Sequence, residues 1–284
     1  MTNRCPPKKI AAVHDLSGLG RCSLTVIIPV LSAMGFQVCP LPTAVLSSHT
    51  GGYSGFTFLD LTDEIPKIAA HWKVLDTKFD AVYTGFLGSA KQIESVIEFA
   101  QNCKKNKDTV FLADPVMGDN GTIYSTYTKE MCRLTTELVQ RADIVTPNIT
   151  EAAILLNTEY KENFTEKEIC DILVSITDIG AEKAVLTGVV KEENGIKKIG
   201  SAYFDKKAKS FGHYFTERID VSYPGTGDIF SSVLLGRILS GYTLEEAVRS
   251  ANEFVYEAVK YTYLLQTPVR EGVAVEALWD YLKR

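Results

Sequence analysis

The sequence predicts an α/β protein: a single domain over residues 1–284 with a central, mainly parallel sheet flanked by helices on both faces. Short apolar runs rich in β-branched residues alternate with helical patterns almost from end to end, which is typical of βαβ units. Several of these runs end in a turn that carries polar residues. We find no internal repeat or linker, and a chain of this length is compatible with one α/β domain.

Seven segments have the composition of strands. They are KKIAAVH, FQVCPLP, TAVLS, FDAVYTG, TVFLADP, DIVTPN and KAVLTG, at residues 8–14, 36–42, 43–47, 79–85, 109–115, 143–148 and 183–188. The last four repeat one arrangement, a buried strand ending in a polar turn. Because ligands of open parallel sheets bind at the carboxyl ends of the strands, we expect Asp114, Asn148 and Thr187 to share one rim.

Helical patterns fill the spaces between the N-terminal strands. The first covers residues 22–34 and is expected to end at Gly35. Residues 49–58, HTGGYSGFTF, contain three glycines and are predicted to form a small flap near the ligand. Asp63 is predicted to cap a helix that runs to about Val74.

The C-terminal part changes from strands to helices. Residues 195–216 alternate in a way that suits antiparallel edge strands. Thr243 and Glu246 have the spacing of a capping box, which predicts a helix over residues 244–261.

Composition and charge narrow the class of partner. Apolar residues make up 45% and charged residues 23% of the chain, as in ordinary globular proteins. The net charge of −5 comes without a basic block, which argues against nucleic acid as a partner. No apolar run has the length of a membrane span or the features of a secretion signal, so we expect no membrane partner, a cytoplasmic location and small-molecule ligands.

The cysteines show no pattern of metal binding or disulfide formation. They are Cys5, Cys22, Cys39, Cys103, Cys132 and Cys170, and no two of them form a CxxC pair. The four histidines are scattered. We therefore predict reduced, mostly buried thiols and no zinc site.

The stretch YPGTGDIFSS at residues 223–232 predicts an anion site at a helix start. Two glycines lead into an apolar helical pattern, and the unpaired N–H groups and dipole of a helix N-terminus attract negative charge. Asp228 lies within this stretch. It is either a helix cap, the commoner role, or a general base beside the anion site.

Two further acidic motifs are suited to Mg²⁺, which prefers oxygen ligands and often binds them through water. ADPVMGDNG contains Asp114 and Asp119, and TPNITE contains Thr146, Asn148 and Glu151. Each motif alone is equally compatible with a turn or, at Asn148, a helix cap. Their joint presence on the predicted rim favours a site.

The ordered set HDLSGLG, SSHTGG, TGFLGS, DPVMGD, TPNITEAAIL, VLTG and PGTGD, from residue 14 to residue 228, resembles the ribokinase-like superfamily and, more narrowly, the pyridoxal kinase family. The resemblance implies ATP-dependent phosphorylation of the 5′-hydroxymethyl group of pyridoxal, pyridoxine or pyridoxamine by a homodimer. By position, it implies that Asp228 is the base. It implies an anion hole formed by Gly225, Thr226 and Gly227.

The same resemblance implies the residues on the nucleotide side. Mg²⁺ and its waters would be held by Asp114, Asp119 and Glu151, and Thr146 would aid a monovalent cation (K⁺ or Na⁺). The other positions matched to nucleotide binding are Asn148 and Thr187.

On the acceptor side, the resemblance implies that His49, Thr50 and Phe86 surround the pyridine ring, although Phe86 also fits plain core packing. Many pyridoxal kinases carry a serine where this chain has Asp15. A carboxylate there predicts a preference for cationic vitamers, unless Asp15 only caps a loop.

Three rival functions remain open. DLSGLG partly resembles the DPSGGAG segment of hydroxymethylpyrimidine kinases of thiamine synthesis, although the rest of that signature is missing. SGLGRCS resembles a dinucleotide-binding loop, but no ribose-binding acid follows a clear second strand. A non-catalytic nucleotide or vitamin sensor would not need Asp228.

Overall fold

The computed structural model describes residues 6–283, and its architecture is a nine-stranded mixed sheet between two layers of helices. Strand bounds are β1 Lys9–Ser17, β2 Gln37–Leu46, β3 Phe58–Asp60, β4 Ala81–Thr84, β5 Val110–Ala113, β6 Gly118–Asp119, β7 Thr122–Ile123, β8 Ile144–Val145, β9 Lys183–Glu193, β10 Ile196–Asp205 and β11 Ser210–Glu217. Strands β6 and β7 form a separate small antiparallel sheet.

The helices lie mostly between the strands in the chain. Their bounds are α1 Leu24–Ala33, α2 Ile65–Val74, α3 Ala90–Asn102, α4 Lys129–Val139, α5 Ile149–Leu156, α6 Glu166–Ile179, α7 Thr226–Leu239, α8 Leu244–Leu265 and α9 Trp279–Leu282, with a 3₁₀ turn at Val269–Glu271.

The strand order of the large sheet is β11-β10-β9-β8-β5-β4-β1-β2-β3. All neighbours from β2 to β9 pair in parallel, whereas β3, β10 and β11 pair antiparallel at the two edges. The predicted fold class, including the antiparallel edge, is confirmed.

Both faces of the sheet are buried at its centre, and β1 shows how the sequence achieves this. Ala11 and Val13 belong to a core shared with α3, α4 and α6, while Ile10 and Ala12 belong to a second core shared with α1, α7 and α8. Successive side chains of a strand point to opposite faces, so a strand with helices on both sides must be apolar throughout.

The capping box predicted at the start of α8 is present. The Thr243 hydroxyl accepts the N–H of Glu246, and the Glu246 carboxylate accepts the N–H of Thr243. The helix continues to Leu265, beyond the predicted end at 261.

Three local expectations are corrected. Asp63 does not cap α2, because the helix begins at Ile65 with Glu64 in the N-cap position, and the Asp63 carboxylate pairs with the Lys91 amine at 2.6 Å. The two extended segments at 36–47 form the single strand β2. Strand β9 does not end after Thr187, since a register shift opposite β10 lets it bulge there and continue to Glu193.

The stretch predicted as a flap connects β2 to β3. Residues 49–57 have no helix or strand, and the edge strand β3 begins at Phe58.

The structure bears on the expected lack of membrane spans and on the thiols, of which fewer are buried than predicted. Within residues 6–283, no helix has the length and apolarity needed to cross a membrane. The five cysteines of that range are free thiols, with Cys22 and Cys103 buried and the others half-buried. Cys5 lies outside the described residues.

Candidate active site

The polar residues predicted at strand ends do meet on one rim of the sheet. Asp114 directly follows β5, and Thr146 directly follows β8. Asn148 forms a parallel bridge with Thr187, whose N–H donates to the Pro147 carbonyl at 2.9 Å. The rim therefore brings together residues that are up to 73 positions apart, from 114 to 187.

The N-terminus of α7 approaches this rim through a glycine turn. Gly225 has φ +83°, and a Cβ on it would lie 2.1 Å from the Arg21 carbonyl oxygen, so only glycine fits. A Cβ on Gly227 would lie 3.9 Å from Oδ2 of Asp114. The Asp114 carboxylate thus faces the first turn of α7, where helix N–H groups lack intrahelical acceptors.

Asp228 lies in that first turn, with its side chain only 16% exposed. Its Oδ2 accepts the backbone N–H of Ser23 at 2.8 Å. Burial raises the pKa of Asp228 to about 7, although the Ser23 N–H opposes the shift. A carboxyl group that titrates near neutral pH has the proton affinity expected of a general base.

Asp15 is buried beside Asp228 at the carboxyl end of β1. Its Oδ1 accepts the Ser23 hydroxyl at 2.6 Å, and its Oδ2 accepts the Ser17 hydroxyl at 2.7 Å. Both oxygens of this carboxylate are therefore engaged within the protein.

Asp114 and Glu151 form a buried acidic pair across the rim. Burial, followed by the charge of Asp228, raises the pKa of Asp114 to about 8. Burial and the charge of Asp114 raise the pKa of Glu151 well above its usual value. Within residues 6–283 no basic side chain forms an ion pair with either acid, and a metal ion would offset the charge of the pair.

Hydrogen bonds fix this acidic pair in place. Glu151 accepts the N–H groups of Asn148 at 2.8 Å and Met117 at 3.2 Å, and the former closes a capping box at the start of α5. The Ser231 hydroxyl lies 3.0 Å from the Thr146 hydroxyl and 3.5 Å from Asp114. The cap interpretation of TPNITE is therefore confirmed at Asn148, and the capping carboxylate of Glu151 is also one of the two buried acids.

Asp119 differs from the buried pair in its exposure, although its charge also acts on Glu151. It is exposed and accepts the Asn120 N–H at 2.9 Å. Across residues 6–283, no three His, Cys, Asp or Glu side chains are close enough together to enclose a metal ion directly. A cation at this rim would need water or phosphate oxygens to complete its coordination.

His49 holds the loop after β2. Its Nδ1 accepts the Gly51 N–H at 3.0 Å, so Nε2 carries the proton and donates to the Arg270 carbonyl at 2.6 Å. Thr50 is exposed and Phe86 is half-buried. His49 is thus committed to shaping the loop, while Thr50 and Phe86 keep surface for a ligand.

Sequence reasoning missed the groups that surround Asp228. His14 is fully buried, and neither ring nitrogen has a hydrogen-bonding partner among the described residues. Ser23 precedes α1 in the sequence position of an N-cap, but its side chain does not cap the helix. The pattern of a serine before an apolar helix gave no sign that its hydroxyl binds an aspartate instead.

Comparisons with known proteins agree with the fold. A family model described as phosphomethylpyrimidine kinase matches residues 28–271. A crystal structure from Bacteroides thetaiotaomicron, assigned to the phosphomethylpyrimidine kinases and determined with pyridoxal, is 43% identical, covers 98% of this chain and 96% of its own, and has a TM-score of 0.93.

Two pyridoxal kinases are also similar. The crystal structure of the Lactobacillus plantarum enzyme is 31% identical over 97% of this chain and 96% of its own, with a TM-score of 0.88. The Arabidopsis thaliana enzyme is 30% identical over 216 residues, which are 72% of this chain and 66% of the relative. The chain therefore belongs to the phosphomethylpyrimidine kinase family, and within the ribokinase-like superfamily it groups with the pyridoxal kinases.

Proposed function

We propose that this protein transfers the γ-phosphoryl group of ATP to the 5′-hydroxymethyl group of vitamin B6 vitamers: pyridoxal, pyridoxamine and pyridoxine. The observation that carries the proposal is the position of Asp228, a largely buried carboxyl group with a pKa of about 7 in the first turn of α7. The similarity to a structure determined with pyridoxal supports the choice of acceptor.

The transfer needs a proton acceptor and an anion site on opposite sides of one oxygen. The hydroxyl oxygen of the vitamer attacks the γ-phosphorus of ATP, and Asp228 takes the proton of that hydroxyl group. The bond from that phosphorus to the bridging oxygen of ADP breaks, and ADP leaves. The N–H groups of Gly225, Thr226 and Gly227 hold the negative charge of the transferred group.

Mg²⁺ fits the chemistry of the acidic rim. Asp114 and Glu151 are buried acids whose charged forms are destabilised, and a divalent cation would offset that cost. We propose that these two residues and Asp119 hold Mg²⁺ through its waters, where the metal would neutralise charge on the phosphates. Thr146 would aid a monovalent cation, K⁺ or Na⁺, beside them.

The remaining rim residues suit the nucleotide. We propose that Asn148 and Thr187, which bridge at the end of the rim, lie against ATP together with Thr226 and Gly227. The pyridine ring would lie against Thr50 and Phe86, in a loop shaped by His49. The loop at residues 49–57 would close over the ring, because a kinase must keep water from the phosphoryl group.

A second acceptor class has one specific observation in its favour. The matching family model has the description phosphomethylpyrimidine kinase. Hydroxymethylpyrimidine is, like the B6 vitamers, a small aromatic alcohol. The loop at the end of β1 keeps part of the sequence pattern of those kinases.

One assay separates these possibilities. ADP release would be measured with MgATP and pyridoxal, pyridoxamine, pyridoxine or hydroxymethylpyrimidine. We expect the highest kcat/KM with a B6 vitamer. A higher kcat/KM with hydroxymethylpyrimidine would make that pyrimidine the acceptor in place of a B6 vitamer. No ADP release with any of the four alcohols would contradict the proposal and favour a sensor.

The setting of the enzyme is part of the same proposal. The free thiols among the described residues suit a reducing cytoplasm, and the family resemblance supports a homodimer.

A further inference from the structure

Ser23 adopts a backbone conformation that serine rarely takes. Its φ is 50° and its ψ is −138°, a region in which a Cβ is strained. The strain does not produce a helix cap, since no side-chain cap bond forms at the start of α1. Strained residues persist only where their surroundings hold them, and they are common at functional sites.

The strained conformation lets one residue bind two carboxylates. The backbone N–H of Ser23 donates to Oδ2 of Asp228 at 2.8 Å, while the hydroxyl donates to Oδ1 of Asp15 at 2.6 Å. The Ser17 hydroxyl donates to the other oxygen of Asp15 at 2.7 Å. A continuous chain of contacts therefore runs from Ser17 through Asp15 and Ser23 to Asp228.

The geometry points to Asp15 and Ser23 as positioning residues that orient the carboxylate of Asp228. The inference rests on the proposed role of Asp228 as the base. Asp15 holds the Ser23 hydroxyl, the held side chain keeps the backbone in its strained conformation, and the strained backbone aims its N–H at Oδ2. Asp15 thus acts on the reaction through Ser23 rather than through contact with the acceptor.

The surrounding chain also restrains this segment. Arg21 donates its N–H to the Glu271 carbonyl at 3.1 Å, and its own carbonyl oxygen lies over Gly225, where it leaves no room for a Cβ. Ser23 is therefore fixed on its N-terminal side, and the Asp15 carboxylate supplies the contact to its side chain. Without the hydrogen bond from the Ser23 hydroxyl to Asp15, the backbone of Ser23 is held less firmly in its strained conformation.

This role makes a different prediction from direct recognition of a cationic vitamer. A positioning defect misaligns the base for every acceptor and so lowers kcat, whereas a lost contact with the ligand changes KM for the vitamers that used it. Two residues that act through one chain of contacts also lose their effect together, so their substitutions are not additive.

The test uses Ser23→Ala, Asp15→Ser and the double variant, with steady-state kinetics on pyridoxal, pyridoxamine and pyridoxine. We expect each single variant to lower kcat about tenfold for all three vitamers, with KM changed less than about twofold. The double variant should lose about as much as one single variant. Ser201→Ala is the matched control, because Ser201 is equally buried but binds Asn252 instead, and its kcat should equal that of the wild type.

A second readout does not depend on turnover. The amide proton of Ser23 should resonate far downfield because it binds a carboxylate, and Asp15→Ser should move it upfield in the ¹H–¹⁵N spectrum of the whole protein. Melting temperatures of all variants check that each is folded.

Three results would overturn the inference. The first is a changed ranking of the vitamers through KM in Asp15→Ser alone, which would make Asp15 a ligand contact. The second is a double variant whose losses multiply. The third is a Ser23 amide signal that Asp15→Ser leaves in place. An inactive wild type would count against the proposed function, and the amide signal would still decide the role of Asp15.

Discussion

Nδ1 of His14 lies 4.0 Å from Oδ1 of Asp228, yet the two side chains do not form an ion pair. Burial lowers the pKa of His14 to about 3, so its ring is neutral at physiological pH. The ring instead packs edge-on against Tyr83, with the centroids 4.4 Å apart. Asp228 thus has an aromatic neighbour in place of a cation, in keeping with its raised pKa.

This neighbourhood predicts how the rate depends on pH. As the proposed base, Asp228 must be unprotonated to accept the hydroxyl proton, and its pKa is about 7, so kcat/KM for the acceptor should rise about tenfold per pH unit below 7 and level off above it. Initial rates from about pH 5.5 to 9 at saturating MgATP measure the profile. A rate that is flat between pH 6 and 8 would contradict the assignment of this base.

Removal of the carboxylate should stop turnover and leave binding intact. We expect Asp228→Asn to lower kcat by about 10²–10⁴-fold, because the amide keeps the shape but cannot take the proton. Calorimetry should give a dissociation constant for the acceptor within a few-fold of the wild type. Undiminished ADP release in this variant would exclude Asp228 as the base.

Metal binding should stabilise the protein more at high pH. The folded-state pKa of Asp114 is raised to about 8, so its contribution to stability is present at low pH and is lost as the pH rises through that value. Bound Mg²⁺ would offset the negative charge that Asp114 gains when it loses its proton. Its addition should therefore raise the melting temperature by several degrees at about pH 8.5 and by much less at about pH 6.

Asp114→Asn provides the control for that measurement. The variant should be more stable than the wild type at about pH 8.5 without metal, since no charge is buried, and should respond little to Mg²⁺. An equal Mg²⁺ response in both proteins would mean that the metal binds elsewhere.

Gly225 and Gly241 both have positive φ, but only at Gly225 would an added Cβ meet another atom. Substitutions at the two positions therefore separate the cost of backbone strain from the cost of a steric clash. Gly225→Ala should lower the free energy of unfolding by more than about 2 kcal/mol, because the new Cβ meets the Arg21 carbonyl oxygen at 2.1 Å. Gly241→Ala has a similar φ, +92°, but no atom within 4 Å of its Cβ. It should cost only about 1 kcal/mol, and chemical denaturation compares the two. Equal losses would show that the contact with Arg21 relaxes without cost.

The sequence was sufficient where local chemistry decides the structure. The capping residues Thr243 and Glu246 have a spacing that works in any helix, and the apolar strands of a parallel sheet are recognisable without knowledge of their partners. Asp114 was placed on the rim because it follows a buried strand, and the carboxyl ends of parallel strands lie at one edge of the sheet.

Sequence reasoning failed where distant segments compete for one group. Asp63 had the position of a cap, but Lys91, which lies 28 residues away, binds its carboxylate. Ser23 lies inside the predicted helix 22–34, whereas α1 begins at Leu24, and only the folded chain brings Asp15 to the Ser23 hydroxyl and Asp228 to its N–H. The intrinsic preference of a residue for a helix terminus reflects its local sequence only. At Asp63 and Ser23, tertiary contacts override that preference.

The hydrogen bond from Arg21 to Glu271 spans 250 positions of the chain, and the segment that it anchors includes Ser23, whose N–H binds the carboxylate of Asp228. During synthesis, residues 20–23 leave the ribosome long before the stretch that clamps them. We therefore expect kinase activity, which rests on the proposed role of Asp228, to appear only after residue 271 has been translated.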